Sequence, residues 1–417
     1  MSLRVAMLSV HTCPLAALGG KETGGMNVYV RELARELGRM GVEVDVFTRS
    51  QNREIPRVVA LGERARVIHL AAGPEAPMAR ERIHDHLDQF VDGVESWRET
   101  RGVDYDLIHA HYWLSGEVAL RLRARWSTPV LAMFHTLGRL KNRVAAADPD
   151  REPDVRIAGE TRVIAEADRL VAANVVEQGH LVRHYDADAA RIAVIPCGVD
   201  TDLFRPGDRA AARRALGVGG EPLLLYVGRL APIKGLDTLL MALACFRERD
   251  ASARLLIVGG EADEAGTDAT SPLARRAAEL GLADAVTFVG PQPQDSLARY
   301  YTAADATVLP SYYESFGMVA LEAMACASPV VASRVGGLQT TVRDGVTGFL
   351  VPEGDACALA AGIERLLADR DLAWRIGREG VRWAAQHRWP CVAEAIVREY
   401  AALADGAGQY LSAARCR

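Results

Sequence analysis

The sequence predicts an α/β fold made of two doubly wound units with largely parallel sheets, and three observations carry that expectation. Short apolar runs alternate with amphipathic helical patterns from residue 4 onward, as parallel strands joined by helical crossovers require. The alternation stops at 195–209, IPCGVDTDLFRPGDR, where proline, glycine and aspartate dominate and a linker is expected. It then restarts, and a chain of 417 residues is too long for one ordinary domain.

In the first half, residues 4–10 (RVAMLSV) read as a buried first strand. A glycine-rich loop over 18–26, an amphipathic helix over 27–40 and a strand over 42–48 follow, the usual opening of a doubly wound unit. These glycines do not spell GxGxxG, so a dinucleotide site is not supported, although Gly24 and Gly25 allow backbone N–H groups to approach a phosphate. Further strands are expected at 67–71, 107–111, 129–134, 169–173 and 192–196, with helices at 83–100, 115–125 and 157–167. In the second half, strands are expected at 223–227, 254–258, 285–289, 306–309, 330–332 and 348–351. Amphipathic helices at 356–368, 371–387 and 392–403 close the chain, and the weakly periodic tail 404–417 is expected to fray. The domains expected are 1–197, 198–390 and a closing segment 391–417 that packs back toward the first. The two units are expected to face each other across a cleft, with ligands outside the carboxyl ends of their strands.

Composition narrows the function. An apolar content of 49% and a charged content of 25% are those of a chain able to bury sizeable cores. A net charge of −5 argues against an electrostatic nucleic-acid binder. The seven cysteines are scattered without a CxxC pair and read as reduced, mostly buried residues of a cytoplasmic protein. No secretory leader and no run of 18 apolar residues is apparent.

The most informative stretch is PSYYESFGMVALEAMACAS, residues 310–328. A strand stopped by Pro310 leads into an apolar helix expected from about Ser315 to Ala327. Glu314 and Glu322 are eight positions apart, roughly 12 Å at helical rise, a separation suited to the hexose and ribose of a nucleotide sugar. The amides of Ser315, Phe316, Gly317 and Met318 would favour an anion at the helix start, and Gly317 would leave room for it. The second motif is GRLAPIKG, 228–235, at the carboxyl end of the second half's first strand. Arg229 offers a planar fork and Lys234 a point charge, a combination suited to a diphosphate. Asp104-Tyr-Asp106 mimics a metal-binding DxD but precedes a strand in the first half, and reads as a turn.

Together GRLAPIKG, ESFGMVALEA and IPCGVD resemble the retaining GT-B glycosyltransferases of family 4 (glycosyltransferase group 1), a group with two Rossmann-like domains. The resemblance runs from Arg4 to about Leu403. It implies a nucleoside-diphosphate-sugar donor, with Arg229 and Lys234 on the diphosphate, Glu314 and the amides of 315–318 on the sugar, and Glu322 on the ribose. The stretch 289–292, ending at Gln292, would face the base. TGGMNVYV (23–30), AHYWLSG (110–116) and HTLGRLKN (135–142) resemble the inositol-phosphate N-acetylglucosaminyltransferases of mycothiol synthesis and, nearly as closely, bacterial sucrose-phosphate synthases. That likeness implies Gly25 at the diphosphate and Asn27 at the acceptor, with Arg80, Tyr112, Thr136, Lys141 and Arg156 around an acceptor phosphate. Arg80 stands where the mycothiol enzymes carry lysine, which keeps the charge but changes its reach. His135 would face the donor sugar, donating to a hydroxyl and stabilising charge near the anomeric carbon, whereas a buried structural histidine is the plain alternative. His109 and His111 read as structural or rim residues.

The resemblance implies a UDP-sugar as substrate, no required cofactor or metal, a non-essential Mg²⁺ at most, and a small phosphorylated acceptor. It leaves a homodimer open. Transfer from UDP-glucose to fructose 6-phosphate, a non-catalytic sugar-nucleotide binder and a nucleotide-sugar epimerase are the competing readings.

Overall fold

The computed structural model of the chain describes residues 2–16, 23–145, 150–247, 253–260 and 271–404. Part of the glycine-rich loop and nearly all of the expected frayed tail lie outside them. The chain divides into two compact units. One holds Met1–Ala16, Gly25–Cys197 and Trp389–Arg417, the other Ala17–Gly24 and Gly198–Arg388, within the described residues.

The first unit runs β1 (Arg4–Leu8), α1 (Gly25–Arg39), β2 (Glu43–Arg49), β3 (Val58–Ala60), β4 (Ala65–Leu70), α2 (Arg80–Ile83), α3 (Leu87–Arg101) and β5 (Leu107–His111). It continues through α4 (Trp113–Trp126), β6 (Val130–Met133), α5 (Gly138–Arg143), α6 (Asp154–Glu166), β7 (Arg169–Ala172), α7 (Val175–Tyr185) and β8 (Ile192–Val194). The sheet order is β3-β4-β2-β1-β5-β6-β7-β8, parallel throughout except for the edge strand β3. Every residue of β5 and β6 is buried, which explains why these strands read as apolar runs without alternation. Strand order reverses between β1 and β5, the place where an open α/β sheet leaves a crevice at the carboxyl ends of its strands.

The second unit runs α8 (Arg209–Ala215), β9 (Leu223–Val227), α9 (Leu236–Arg247), β10 (Arg254–Val258), α10 (Pro272–Glu279), β11 (Val286–Gly290) and α11 (Gln294–Ala303). It continues with β12 (Ala306–Leu309), α12 (Met318–Ala325), β13 (Val330–Ser333), α13 (Leu338–Thr341), β14 (Gly348–Val351), α14 (Ala356–Ala368) and α15 (Arg370–Ala384). Its parallel sheet has the order β11-β10-β9-β12-β13-β14 and reverses between β9 and β12. Several of its helices start on side-chain caps: the carboxylates of Asp208, Asp355 and Asp369 and the hydroxyl of Ser271 each accept a first-turn N–H. The last helix, α16 (Trp389–Leu403), belongs to the first unit and packs on α1, where Trp389 meets the edge of Tyr29.

One detail differs from the sequence expectation and two refine it. The stretch after Ile195, where the chain passes from one unit to the other, is itself packed: Phe204 is buried against Tyr301, and Val199 N–H donates to His387 O at 2.8 Å. The cysteines are less buried than expected: of the free ones among the described residues only Cys197 and Cys326 are buried, while Cys357 is exposed. Asp104 and Asp106 serve structure, pairing with Arg98 and accepting the Arg4 N–H at 2.8 Å.

Candidate functional site

In the second unit the loops after β9 and β12 flank the reversal point, and contacts through backbone and side chain lock them together. Gly235 has φ +68°, and a Cβ there would lie 2.0 Å from Pro310 O. Tyr312 N–H donates to Ile233 O at 2.9 Å, and the hydroxyls of Thr238 and Tyr312 share a 2.9 Å hydrogen bond. This seam brings the two sequence motifs together: Lys234 Nζ lies 2.6 Å from Glu314 Oε2. Arg229 lies two residues past β9, its carbonyl accepting the buried Tyr226 hydroxyl at 2.7 Å. The loop after β13 holds Glu314 from the other side, since Gly337 N–H donates to Glu314 O at 2.8 Å. A Cβ on Gly336 would sit 2.0 Å from that same oxygen. The sequence reading did not single out Gly336, Gly337 or Tyr226.

Helix α12 begins at Met318, three residues later than expected. The amides of Ser315 and Phe316 therefore precede the helix and are not part of its first turn. Ser315 Oγ donates to the Tyr313 hydroxyl at 3.2 Å, and Phe316 O accepts the Thr341 hydroxyl at 2.7 Å. Gly317 has φ +93°, and a Cβ there would meet Leu338 at 2.6 Å. Its backbone conformation and the neighbouring leucine demand glycine, a physical reason other than ligand approach. Glu322 is not a solvated glutamate: it is buried, accepting the Tyr301 hydroxyl at 2.8 Å, with Gln294 Nε2 at 3.5 Å. Tyr301 and Gln294 come from α11 and have no local sequence signal linking them to Glu322. Gln292 is half-buried just ahead of that helix.

In the first unit the loops after β1, β5 and β6 converge. Gly25 opens α1. Asn27 is buried, donating its amide to Thr12 Oγ1 at 2.6 Å and to Cys13 O at 2.7 Å. His135 lies just beyond β6 at φ +61°, a left-handed conformation uncommon outside glycine. His135 Nε2 and His111 Nδ1 share a 3.0 Å hydrogen bond, and His109 Nδ1 meets the Tyr400 hydroxyl at 2.8 Å. Tyr29 packs edge-on against both His111 and His135. Burial pushes these imidazoles far below their ordinary range, His109 and His135 to about 3, so the cluster is neutral. His109 and His111 are fully buried and belong to the core, not to a rim.

The five residues expected around an acceptor phosphate form one cluster. Arg80 Nη1 donates to the Tyr112 hydroxyl at 3.2 Å. Arg156 lies over the Tyr112 ring at 4.8 Å and donates from Nη2 to Thr136 O and Oγ1, each at 3.0 Å. Glu152 lies at the hub, a residue that the sequence reading missed. Lys141 Nζ bonds its Oε1, Arg156 Nη1 lies 2.9 Å from its Oε2, and Arg80 Nη1 approaches to 4.0 Å. Burial would raise the Glu152 carboxyl, but the charges of Arg156, Lys141 and Arg80 outweigh it and hold the group at about 2. Burial pulls Lys141 below its usual range while Glu152 pulls the other way. Arg156 has a second carboxylate, Glu160, one helical turn on, at 2.7 Å from Nε.

The comparisons with known proteins fit this geometry. The family model described as "Glycosyltransferase Family 4" matches residues 23–203, and "Glycosyl transferases group 1" matches 208–383. The D-inositol 3-phosphate glycosyltransferase of Geodermatophilus obscurus is 45% identical over 408 residues, covering 96% of this chain and 90% of that protein. The protein of the same name from Nocardia farcinica is 44% identical, covering 96% and 89%. Among solved structures, the sucrose-phosphate synthase of Thermosynechococcus elongatus superposes with a TM-score of 0.88 at 38% identity, covering 96% of this chain and 99% of that one. The two parallel-sheet α/β domains thus have the GT-B architecture. With family models over both units and relatives at these identities along nearly the whole chain, this protein belongs to glycosyltransferase family 4, with a group 1 glycosyl transferase domain as its second half.

Proposed function

We propose that this glycosyltransferase moves N-acetylglucosamine or glucose from a UDP-sugar to a phosphorylated polyol, D-inositol phosphate being the first candidate, with retention at the anomeric carbon. The observation that carries the reading is the convergence of Arg80, Lys141 and Arg156 with the Tyr112 and Thr136 hydroxyls on one spot of the first unit. Three cations and two neutral donors suit a phosphomonoester. The names of the relatives supply the same acceptor chemistry.

On this reading the second unit holds the donor. Arg229 and Lys234 bind the diphosphate, Glu314 the sugar hydroxyls, Glu322 the ribose, and Gln292 lies by the base. Amides around Gly317 and Met318 add partial positive charge. The acceptor hydroxyl attacks the anomeric carbon on the face from which the diphosphate departs, and a leaving phosphate oxygen takes its proton, so configuration is retained. Negative charge growing on that leaving group is met by Arg229, Lys234 and backbone N–H groups. Acceptor phosphate binding orients the attacking hydroxyl. Neutral His135 donates a hydrogen bond to a sugar hydroxyl.

The test is UDP release with UDP-glucose or UDP-N-acetylglucosamine, each offered inositol 1-phosphate, fructose 6-phosphate, inositol or no acceptor, with and without EDTA. Release that requires a phosphorylated acceptor and survives EDTA is expected. Release indifferent to the phosphate would overturn the acceptor assignment. Likeness to the sucrose-phosphate synthase makes fructose 6-phosphate the second reading, and the same assay separates the two.

A further inference from the structure

The cations assigned to the acceptor phosphate already have an anion among them. Glu152 is buried, and its backbone is pinned on both sides: its N–H donates to Asn142 Oδ1 at 2.6 Å, and its carbonyl accepts Asn142 Nδ2 at 3.1 Å. Pro153 follows and leads into α6. The carboxylate is thereby held among Lys141, Arg156 and Arg80. Glu160, the other carboxylate on Arg156, is tied differently. It accepts the Gly138 N–H at 2.9 Å and the Tyr185 hydroxyl, which fix it to the scaffold. Glu152 is the member of the pair whose carboxylate touches all three cations.

One detail shows that Glu152 does not fully engage Arg156. Arg156 Nη1 lies 2.9 Å from Glu152 Oε2, yet it is buried and makes no hydrogen bond of acceptable geometry among the described residues. The Nη1 hydrogens are not aligned on the carboxylate oxygen next to them. A fully desolvated guanidinium N–H without an acceptor is costly. A phosphoryl oxygen arriving beside Glu152 would receive it.

We propose that Glu152 is an internal competitor of the acceptor's phosphate, holding Arg80, Lys141 and Arg156 together until a phosphomonoester takes them over. The inference rests on the acceptor reading above. A carboxylate carries one negative charge on two oxygens, whereas a phosphomonoester dianion carries two charges on three terminal oxygens. An entering singly charged group gains little by displacing Glu152; a dianion gains the difference. Glu152 therefore lowers affinity for every anion while sharpening preference for a phosphomonoester. It is a positioning and specificity residue, not one that touches reacting atoms.

Isothermal calorimetry with inorganic phosphate on the full-length protein and on Glu152→Gln tests this directly, with the phosphate-dependent rise in melting temperature as a second readout. Glutamine keeps the shape and one oxygen acceptor but removes the charge. Phosphate is expected to bind Glu152→Gln about tenfold more tightly, to raise its melting temperature by more than the parent's, and to inhibit turnover at correspondingly lower concentration. Glu152→Asp, which keeps the charge but withdraws it by one methylene, should lie between and stands in if the glutamine variant does not fold. Equal or weaker phosphate binding by the variants, with the parent binding phosphate, would overturn the competitor role alone. Absence of phosphate binding by every form, with turnover indifferent to the acceptor's phosphate, would overturn the acceptor reading and this inference with it.

Discussion

Replacing Gly235 by alanine isolates what holds the two motifs of the second unit together. At φ +68° an L side chain is strained, by roughly 1 kcal/mol for a single residue in the left-handed region. The larger effect is steric. The new Cβ would lie 2.0 Å from Pro310 O, a backbone atom that no side-chain rotation can move aside. Restoring ordinary contact requires one loop to shift by at least ~1 Å, against the Tyr312–Ile233 and Thr238–Tyr312 hydrogen bonds that tie the seam. Overpacking of this kind costs about 1–3 kcal/mol, so the total is about 2–4 kcal/mol. The same shift moves Lys234 relative to Glu314, now 2.6 Å apart, and a misplacement of ~1 Å in a reacting site can cost about a hundredfold in turnover.

Gly281 provides the control, because it has the same φ of +68° but no atom within 4 Å of its added Cβ. Gly281→Ala should show the conformational term alone. Denaturant midpoints followed by tryptophan fluorescence, together with UDP release, compare the two variants. If Gly235→Ala is as stable and as active as Gly281→Ala, the contact with Pro310 does not constrain the loops, and the account of how Lys234 meets Glu314 fails.

Three further outcomes are expected. Lys234→Met should lower kcat by about a hundredfold or more, the scale of losing one preorganised donor to a leaving group, with the fold intact by circular dichroism; unchanged turnover would remove Lys234 from the diphosphate. Arg156→Met should destabilise by about 3–5 kcal/mol, because Glu152 and Glu160 would lose the cation they share, and a midpoint like the parent's would show that the carboxylates compensate each other by protonation. Burial lifts Glu177 to about 7, the Ala173 N–H pulling the other way. A folded value above the unfolded one gives stability that is full below about 4.5 and lost as pH rises through 7. Glu177→Gln should flatten that decline, and parallel pH profiles of the two proteins would contradict the burial argument.

The fold was legible because the central strands are buried on both faces and most helices between them are amphipathic, α12, buried nearly all round, being an exception. What escaped had weaker local signals. Strand β3 is short and partly exposed at the sheet edge, so it shows neither an apolar run nor a clean alternation. Helix α7, which the sequence reading passed over, did carry a local signal: Asn174 accepts Glu177 N–H at 2.9 Å while Glu177 accepts Ala173 N–H at 2.6 Å, a cap of the N-x-x-E kind. In the site, motifs sufficed for Lys234 and Glu314, because both sit at strand ends beside the point where strand order reverses. Glu160 is one helical turn from Arg156 and could have been paired with it from spacing. Glu152 could not. It lies in a proline- and aspartate-rich loop, and only the convergence of α2, α5 and α6 makes it the centre of a charge cluster.

On the proposed function, the two charge clusters solve the same physical problem. A cation meant for a ligand's phosphate must be partly desolvated to bind strongly, and a desolvated cation without a partner destabilises the fold. Lys234, 17% exposed, is paired with Glu314, and Arg156, 1% exposed, with Glu152 and Glu160. Each pairing keeps the cation in place without ligand and lowers its affinity for a passing anion. A ligand with a single negative charge offers the cation little that its carboxylate does not. A diphosphate or a phosphomonoester offers more charge and more oxygens, and binds by the difference. On that logic, removing a partner carboxylate should tighten phosphate binding and loosen discrimination together, a pairing of effects that a purely structural carboxylate would not produce.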